Sequence, residues 1–243
     1  MLEAFAWGVF AASSLIIGGA IALRFQISTF VIGLVMAFGA GVLISAVAYE
    51  LVLEAYLSSA GFDGVGIGLA AGALTFFVGD ALIDRMGGHN RKAAEGPEGG
   101  SSPLAIVLGI VLDGIPESVV LGLTLVAGEG IGVAVVAAVF LSNLPEAIAA
   151  TSGLSRVGYQ GGRIMQMWVA VTLVSGISAL VGYAVLEDAS SRTVAFVNAF
   201  AGGAILTMLA DTMMPEGFKY GGKLVGLLTT LGFFLAFVLT TLE

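Results

Sequence analysis

The chain has 243 residues, of which 58% are hydrophobic and 11% are charged, and its mean hydropathy is +1.05. This composition excludes a soluble globular domain and indicates an integral membrane protein surrounded by a lipid bilayer. The net charge of −8 argues against nucleic acid as a partner, and the absence of cysteine excludes disulfides and thiolate metal sites.

Eight apolar segments approach or exceed the length of about 20 residues that a spanning helix needs. We therefore predict an all-α membrane protein whose residues 1–243 form a single transmembrane domain. The first segment has no basic flank ahead of it, so we interpret it as a retained helix rather than a signal peptide. The eight predicted helices cover residues 3–23, 28–54, 62–84, 103–127, 131–154, 163–186, 193–214 and 222–242.

The basic residues predict the orientation. Eight of the nine lie in or beside the loops that follow helices 1, 3, 5 and 7, and only Arg192 lies on the other side. By the positive-inside rule these loops face the cytoplasm, so both termini should be extracytoplasmic in a cell (inner) membrane. Residues 87–102, which include His89, are rich in glycine, serine and proline and predict a flexible cytoplasmic loop.

An internal repeat links helix 2 to helix 7. The sequence AFGAGVLISAVAYELVLEA from Ala37 aligns with AFAGGAILTMLADTMMPEG from Ala199, with small residues in register. The two helices should run in opposite directions, which predicts an inverted repeat of helices 1–3 and 6–8 around helices 4 and 5, with a site near the midplane. The alternative is that small-residue helices resemble each other by composition alone.

Helices 4 and 5 each carry a proline followed by a glutamate in apolar sequence. Asp113 and Glu117 share one helix face, and Asn143 lies on the side of Glu146. A proline inside a helix removes one backbone hydrogen bond, which frees a carbonyl oxygen four residues earlier. Ionised groups at this depth usually mark an ion or proton pathway. We predict a divalent cation site, the alternative being polar groups that only bond to one another.

Five other residues are candidates for the same pathway, and one of them is Ser175 of helix 6. Ser142 lies on the side of Glu146, although a serine in a membrane helix often bonds to its own backbone. Asp80 lies near the end of helix 3 and could line an inner exit. Asp211 and Glu50 lie near the ends of helices 7 and 2, where carboxylates would gather cations, although solvated helix ends explain them nearly as well.

These features resemble the ZIP (Zrt/Irt-like) family of divalent metal transporters, in a prokaryotic-type form with a non-standard metal site. Helix 4 of a typical member reads HNxPEG, and residues 113–118 read DGIPES, so that Asp113 stands in place of histidine and Gly114 in place of asparagine. Glu117 matches the family's metal-binding carboxylate. In helix 6 many members have a glutamate before a proline, where this chain has Ser175 and Gly176.

The resemblance implies a ZIP-type bundle in which metal passes between helices 2, 4, 5 and 7 as one helix group moves against the other. The departures favour one metal position, built from Asp113, Glu117, Asn143 and Glu146, over a full two-metal centre. Zinc is the substrate that the family implies, whereas oxygen ligands also suit Mn²⁺ or Fe²⁺. No cofactor is expected besides the transported cation, and a homodimer stays open.

An enzyme and a proton-coupled permease are the two other classes of function to compare with the sequence. The protease motifs HExxH and GxGD are absent, and a buried His beside Ser is not available, so we expect no enzyme. A proton-coupled permease for a small organic solute is the stronger alternative, because carboxylates in spans also relay protons. The lack of a cationic residue to hold an anionic solute argues against it.

Overall fold

The computed structural model of the protein describes residues 1–88, 103–126 and 132–242, without the side chains of residues 59–63, 103 and 104. Throughout these residues the regular structure is helical and contains no strand, so the all-α prediction is confirmed. Gly87, with φ of 94°, ends the helical run after the third span. The rest of the predicted cytoplasmic loop, residues 89–102 with His89, lies outside the described residues.

The described chain forms nine α-helices, some of which continue into helical turns of other pitch. The chain stays helical after α2 through π-helical turns at Val47–Leu53 and Tyr56–Ala60, and a further one at Leu209–Met213 joins α7 to α8. The helices are α1 (Leu2–Arg24), α2 (Thr29–Ala46), α3 (Gly61–Ile83), α4 (Pro103–Val126), α5 (Val133–Arg156), α6 (Gly161–Leu186), α7 (Ser191–Met208), α8 (Met214–Gly221) and α9 (Val225–Thr240).

Seven helical segments of the described chain are long and apolar enough to cross a membrane, which makes this a multi-pass membrane protein. The last segment, Ser191–Thr240, has 50 residues. A straight helix of that length would measure about 75 Å, against about 30 Å for the hydrocarbon layer. Gly222, with φ of 59° and ψ of −140°, interrupts the α-helical path between α8 and α9. The eight-span topology and the inverted repeat stay predictions.

The helices pack in two groups. The first contains α1, α4, α5 and α6, with α1 against α5 and α6 and α4 against α6. The second contains α2, α3, α7, α8 and α9, with α3 along α7 and α2 along α8 and α9. The groups meet where α2 contacts α5 and α4 contacts α7. In the most apolar stretch of α5, 72% of the residues are buried, against 22% for α3, so α5 lies in the interior and α3 at the periphery.

Serine caps start α2 and α7 in the same way. Ser28 Oγ accepts a hydrogen bond from the Val31 backbone N–H at 3.4 Å, and Ser190 Oγ accepts one from Thr193 N–H at 3.3 Å. Each cap satisfies one of the four donors that a helix N-terminus leaves open. Both helices then run for 18 residues before the π-helical turns begin.

Glycines set the distance between helices within the second group. A Cβ atom built on Gly72 would lie 1.8 Å from the Phe200 carbonyl oxygen, and one on Gly203 would lie 2.1 Å from that of Leu69. Only a residue without a side chain permits this approach, which is how small residues tighten helix contacts in membranes. The α2–α9 crossing repeats the arrangement with Gly41 against Thr229 and Gly232 against Phe38.

We expect Gly72→Ala to destabilise the protein by about 1–3 kcal/mol, because the new methyl group meets a backbone oxygen that cannot move alone. The matched control is Gly66→Ala in the same helix, where no atom lies within 4 Å of the new Cβ. That substitution should raise stability by about 0.5–1 kcal/mol through helix propensity. Thermal unfolding in detergent compares them, and equal stability of the two variants would contradict the α3–α7 contact.

Candidate cation site

Both proline-glutamate motifs lie inside continuous helices. Pro116 is in the middle of α4 and Pro145 is in the middle of α5. Because proline has no N–H, the carbonyls of Leu112 and Leu141 lose their usual helical donors. Each motif therefore joins a carboxylate to a backbone oxygen that is available for a further interaction.

The four predicted site residues are all buried. Asp113 and Glu117 are each 2% exposed, and Asn143 and Glu146 are each 6% exposed. Every charged side chain among the described buried residues is one of these three carboxylates, and no arginine or lysine is buried with them. The site is therefore electronegative and suits a cation rather than an anion.

The carboxylates do not converge on one point. The described residues contain no group of three or more histidine, cysteine, aspartate or glutamate side chains placed to hold one metal ion. Asp113, Glu117 and Glu146 are thus buried near the two mid-helix prolines without forming a closed metal cage. A bound ion would need oxygen atoms of other kinds, or a movement of α4 relative to α5.

Pro145 packs against the second helix group at a glycine. A Cβ on Gly39 of α2 would lie 2.8 Å from Pro145 Cγ and 3.1 Å from Met213 Cε. Gly39 thus makes room for the proline ring at the place where the two groups meet. The proline that frees the Leu141 carbonyl is therefore also part of the contact between the groups.

Glu50 and Glu117 line the same small cavity. The two carboxyl residues come from the π-helical turn after α2 and from α4, and the remaining walls are apolar. The cavity has a volume of about 20 Å³, which corresponds to about one water molecule. The sequence placed Glu50 at a helix end, whereas in the structure it lines a cavity that Glu117 also lines. The apolar lining residues are Leu43, Ala46, Val47, Leu51, Val120, Val135, Ala138, Val139 and Ile205.

The other predicted residues differ in position. Ser142 is fully buried, and its hydroxyl donates to the Val139 carbonyl at 3.1 Å, as the backbone-bonding alternative anticipated. Ser175 is 5% exposed and faces Gly114 of α4. Asp80 is half-buried on α3, and Asp211 is exposed in the π-helical turn after α7.

Among the described residues, the sequence did not single out six buried polar ones, which are Ser14, Ser45, Ser118, Thr151, Thr172 and Asn198. Ser118 donates its hydroxyl proton to the Gly114 carbonyl at 2.6 Å and is 3% exposed. Ser45 of α2 and Asn198 of α7 are buried in the second helix group. A single serine or asparagine in an apolar run has no spacing pattern that distinguishes it from a residue facing another helix. The signal for Ser118 was its position one residue after Glu117.

Comparison with known proteins gives one distant similarity. The chain is 25% identical over 190 residues to a protein of Arabidopsis thaliana that is provisionally named a zinc transporter. The aligned region covers 77% of this chain and 30% of that protein, so the chain spans about a third of its relative's length. No family model matches the chain.

We expect Glu117→Gln and Glu146→Gln to leave the free energy of unfolding unchanged or to raise it slightly. Glutamine keeps the shape of glutamate and removes a charge whose burial is costly. Thermal unfolding in detergent without divalent metal measures the effect. A loss of more than about 3 kcal/mol would show that the carboxylates hold the fold together, as expected for a broken buried ion pair.

Proposed function

We propose that this protein transports divalent metal cations across the cell membrane by alternating access, through a site formed by Asp113, Glu117, Asn143 and Glu146. The observation that carries the proposal is the burial of these groups at two mid-helix prolines with no buried basic side chain among the described residues. A charged group in a membrane helix is costly and usually faces an ion pathway.

The chemistry of the site favours a metal ion over an organic solute. An anionic solute needs a cationic side chain, and the described core offers none. The helix 4 and helix 5 motifs support membership of the ZIP family, and the provisional name of the Arabidopsis protein favours zinc. An all-oxygen site also accommodates Mn²⁺ or Fe²⁺.

We further propose eight spans arranged as an inverted repeat. Two pairs of features in α2 and α7 support it, because both have the same separation along the chain. The cap residues Ser28 and Ser190 are 162 positions apart, and so are Val47 and Leu209, where the π-helical turns begin. A likeness of composition alone would not match helix starts and helix irregularities in one register.

The glycine crossings support the same repeat. Gly41 and Gly203, again 162 positions apart, each meet a backbone carbonyl of a neighbouring helix. Gly72 and Gly232 are 160 positions apart. Gly72 meets the Phe200 carbonyl, and Gly232 meets the Phe38 carbonyl. In the proposed repeat α2 corresponds to α7 and α3 corresponds to α9. The α2–α9 contact is therefore the counterpart of the α3–α7 contact.

The two helix groups give a physical basis for alternating access. Within a group, glycines approach backbone atoms of the neighbouring helix, as Gly122 does at the Ala179 carbonyl. Between the groups, the nearest atom to a Cβ on Gly39 is Pro145 Cγ at 2.8 Å and the nearest to one on Gly79 is a Leu112 methyl group at 3.2 Å, while the Ser142 α-carbon lies 3.5 Å from the first. Side-chain contacts on glycine can shift more easily than locked backbones, so the groups can move as bodies.

Each half of the proposed repeat places one carboxylate in its π-helical turn. Glu50 lies after α2 and Asp211 lies after α7. With both termini outside the cytoplasm, Glu50 would be on the outer side of the site and Asp211 on the inner side. We assign them to the two ends of the cation path, with Asp80 near the inner end and Ser142 beside Glu146.

The first test is metal uptake into proteoliposomes that contain purified protein. We expect saturable uptake of Zn²⁺, Mn²⁺ or Fe²⁺, reduced more than about 100-fold by Glu117→Gln or Glu146→Gln, because loss of a ligand exceeds the effect of a lost outer-shell contact. Glu3→Gln, which changes an exposed carboxylate at the start of α1, is the matched control and should transport normally.

Two results would count against the proposal. Near-normal uptake by both Glu117→Gln and Glu146→Gln would remove these residues from the path. An absence of metal uptake above empty vesicles, combined with proton flux that depends on an added organic solute, would favour the proton-coupled permease.

Acidification should weaken metal binding. Carboxylates bind a metal ion only after they lose their protons, so protons and metal compete for the same oxygens. We expect the affinity measured by calorimetry to fall steadily from about pH 7 to about pH 5, with proton release on binding. An affinity that is constant over this interval would contradict an all-carboxylate site.

A further inference from the structure

Gly114 differs from the glycines that pack helices together. A Cβ built on it would have one neighbouring atom within 4 Å outside its own stretch of helix, Ser175 Oγ at 3.7 Å. The glycines at the helix crossings, such as Gly122 in the same helix, would instead meet a backbone oxygen at about 2 Å. A glycine in a helix interior is less stable than an alanine at the same position. At position 114 no close helix contact offsets that cost.

The open space lies beside the candidate cation ligands. On a helix with about 100° per residue, Glu117 is about 40° around from Asp113 and about 60° from Gly114. The space therefore adjoins the face of α4 that carries both carboxylates. Gly114 keeps its own carbonyl occupied, because Ser118 donates to it at 2.6 Å.

Ser175 gives the space a polar wall. Its side chain is 95% buried, being 5% exposed, and its Oγ makes no hydrogen bond to any described residue. Ser175 Oγ is not one of the fully enclosed side-chain atoms without a partner, so a small molecule can reach it and supply the hydrogen bond that no described residue makes. The nearest open position is the one left by the missing side chain of Gly114. A small polar molecule is the occupant that fits both observations.

We propose that Gly114 and Ser175 form a water slot, in which one water molecule bonds to Ser175 Oγ and remains on the transported cation. This rests on the proposed function and defines its substrate class as a hard divalent cation carried with part of its hydration shell. The protein ligands alone do not form a closed cage, so a retained water completes the coordination. Ions that prefer oxygen and water, such as Mn²⁺, are favoured by such a site over the four-coordinate geometry typical of Zn²⁺.

Gly114→Ala is a clean test, because its methyl group fills the slot without meeting another atom closer than 3.7 Å. The probe is Mn²⁺ bound to purified protein, and electron paramagnetic resonance in ¹⁷O-labelled water counts the waters on the ion. We expect Gly114→Ala to lose one water relative to the wild-type protein. Ser175→Ala should lose it or bind it more weakly, and Gly66→Ala, the same substitution at an exposed open position, should keep it.

Uptake gives a second readout. The ratio of Mn²⁺ to Zn²⁺ uptake should fall about tenfold in Gly114→Ala, the size expected for one lost hydrogen bond to a charged group. The unfolding temperature of Gly114→Ala should be equal to or above that of the wild type. A lower value would mean that the space is already filled by protein and would overturn the slot.

The outcomes separate the two proposals. If wild-type protein binds Mn²⁺ and both Gly114→Ala and Ser175→Ala keep its water count and uptake ratio, the slot is wrong and the transport function stands. If wild-type protein neither binds nor transports Mn²⁺ or Zn²⁺, the metal function is wrong and the slot falls with it.

Discussion

The structure depends on burying three carboxylates in an apolar bundle that supplies no buried basic side chain among the described residues. Moving an isolated ionised carboxylate out of water costs many kcal/mol, so this arrangement needs support from the surrounding helices. The carboxylates lie on α4 and on α5, which is largely enclosed, while α3 and α9 face outward and bear many exposed apolar side chains. The peripheral helices present apolar side chains that suit contact with lipid. The buried carboxylates, whose desolvation is unfavourable, lie in the interior.

Prolines and glycines divide the mechanical roles between them. Glycines at the α2–α9 and α3–α7 crossings bring backbones together so closely that these helices have little freedom to slide. Pro116 and Pro145 instead break the backbone ladder where the charged groups lie. The contact between the groups, where Pro145 meets Gly39, combines one residue of each kind. A rigid frame thus surrounds a locally weakened centre, a distribution of stiffness that is consistent with the proposed movement of one helix group against the other.

The positions of several helices could be predicted because the hydropathy of a membrane span is averaged over about 20 residues. The predicted segment 62–84 became α3 at Gly61–Ile83, and the predicted segment 131–154 became α5 at Val133–Arg156. The burial of Asp113 and Glu117 followed from helical spacing and from the scarcity of basic residues. The last two predicted segments are different, since the chain stays helical from Ser191 to Thr240 with a break at Gly222. Local hydropathy does not specify how neighbouring spans are joined.

Other features were out of reach for physical reasons. A π-helical turn adds a residue to the repeat and rotates all that follows, so the cavity that Glu50 shares with Glu117 could not be obtained from α-helical spacing. Glycines are equally ambiguous in sequence. Gly72 and Gly114 both interrupt apolar helices, yet one meets a carbonyl oxygen and the other faces open space. The difference is made by the neighbouring helix, and no pattern within one helix encodes it.

For the proposed transport function, it matters that the described residues contain no ready-made cluster of three metal-binding carboxylates. A preformed cage of three carboxylates would bind a divalent ion tightly, and tight binding opposes release. In this structure Asp113, Glu117 and Glu146 are buried near the mid-helix prolines and do not form such a cage. An entering ion would attract them and draw α4 and α5 together, and the free energy of that attraction is partly spent on moving the helices. Affinity is lowered by the same amount, so a site that must assemble around its ion can also let it go.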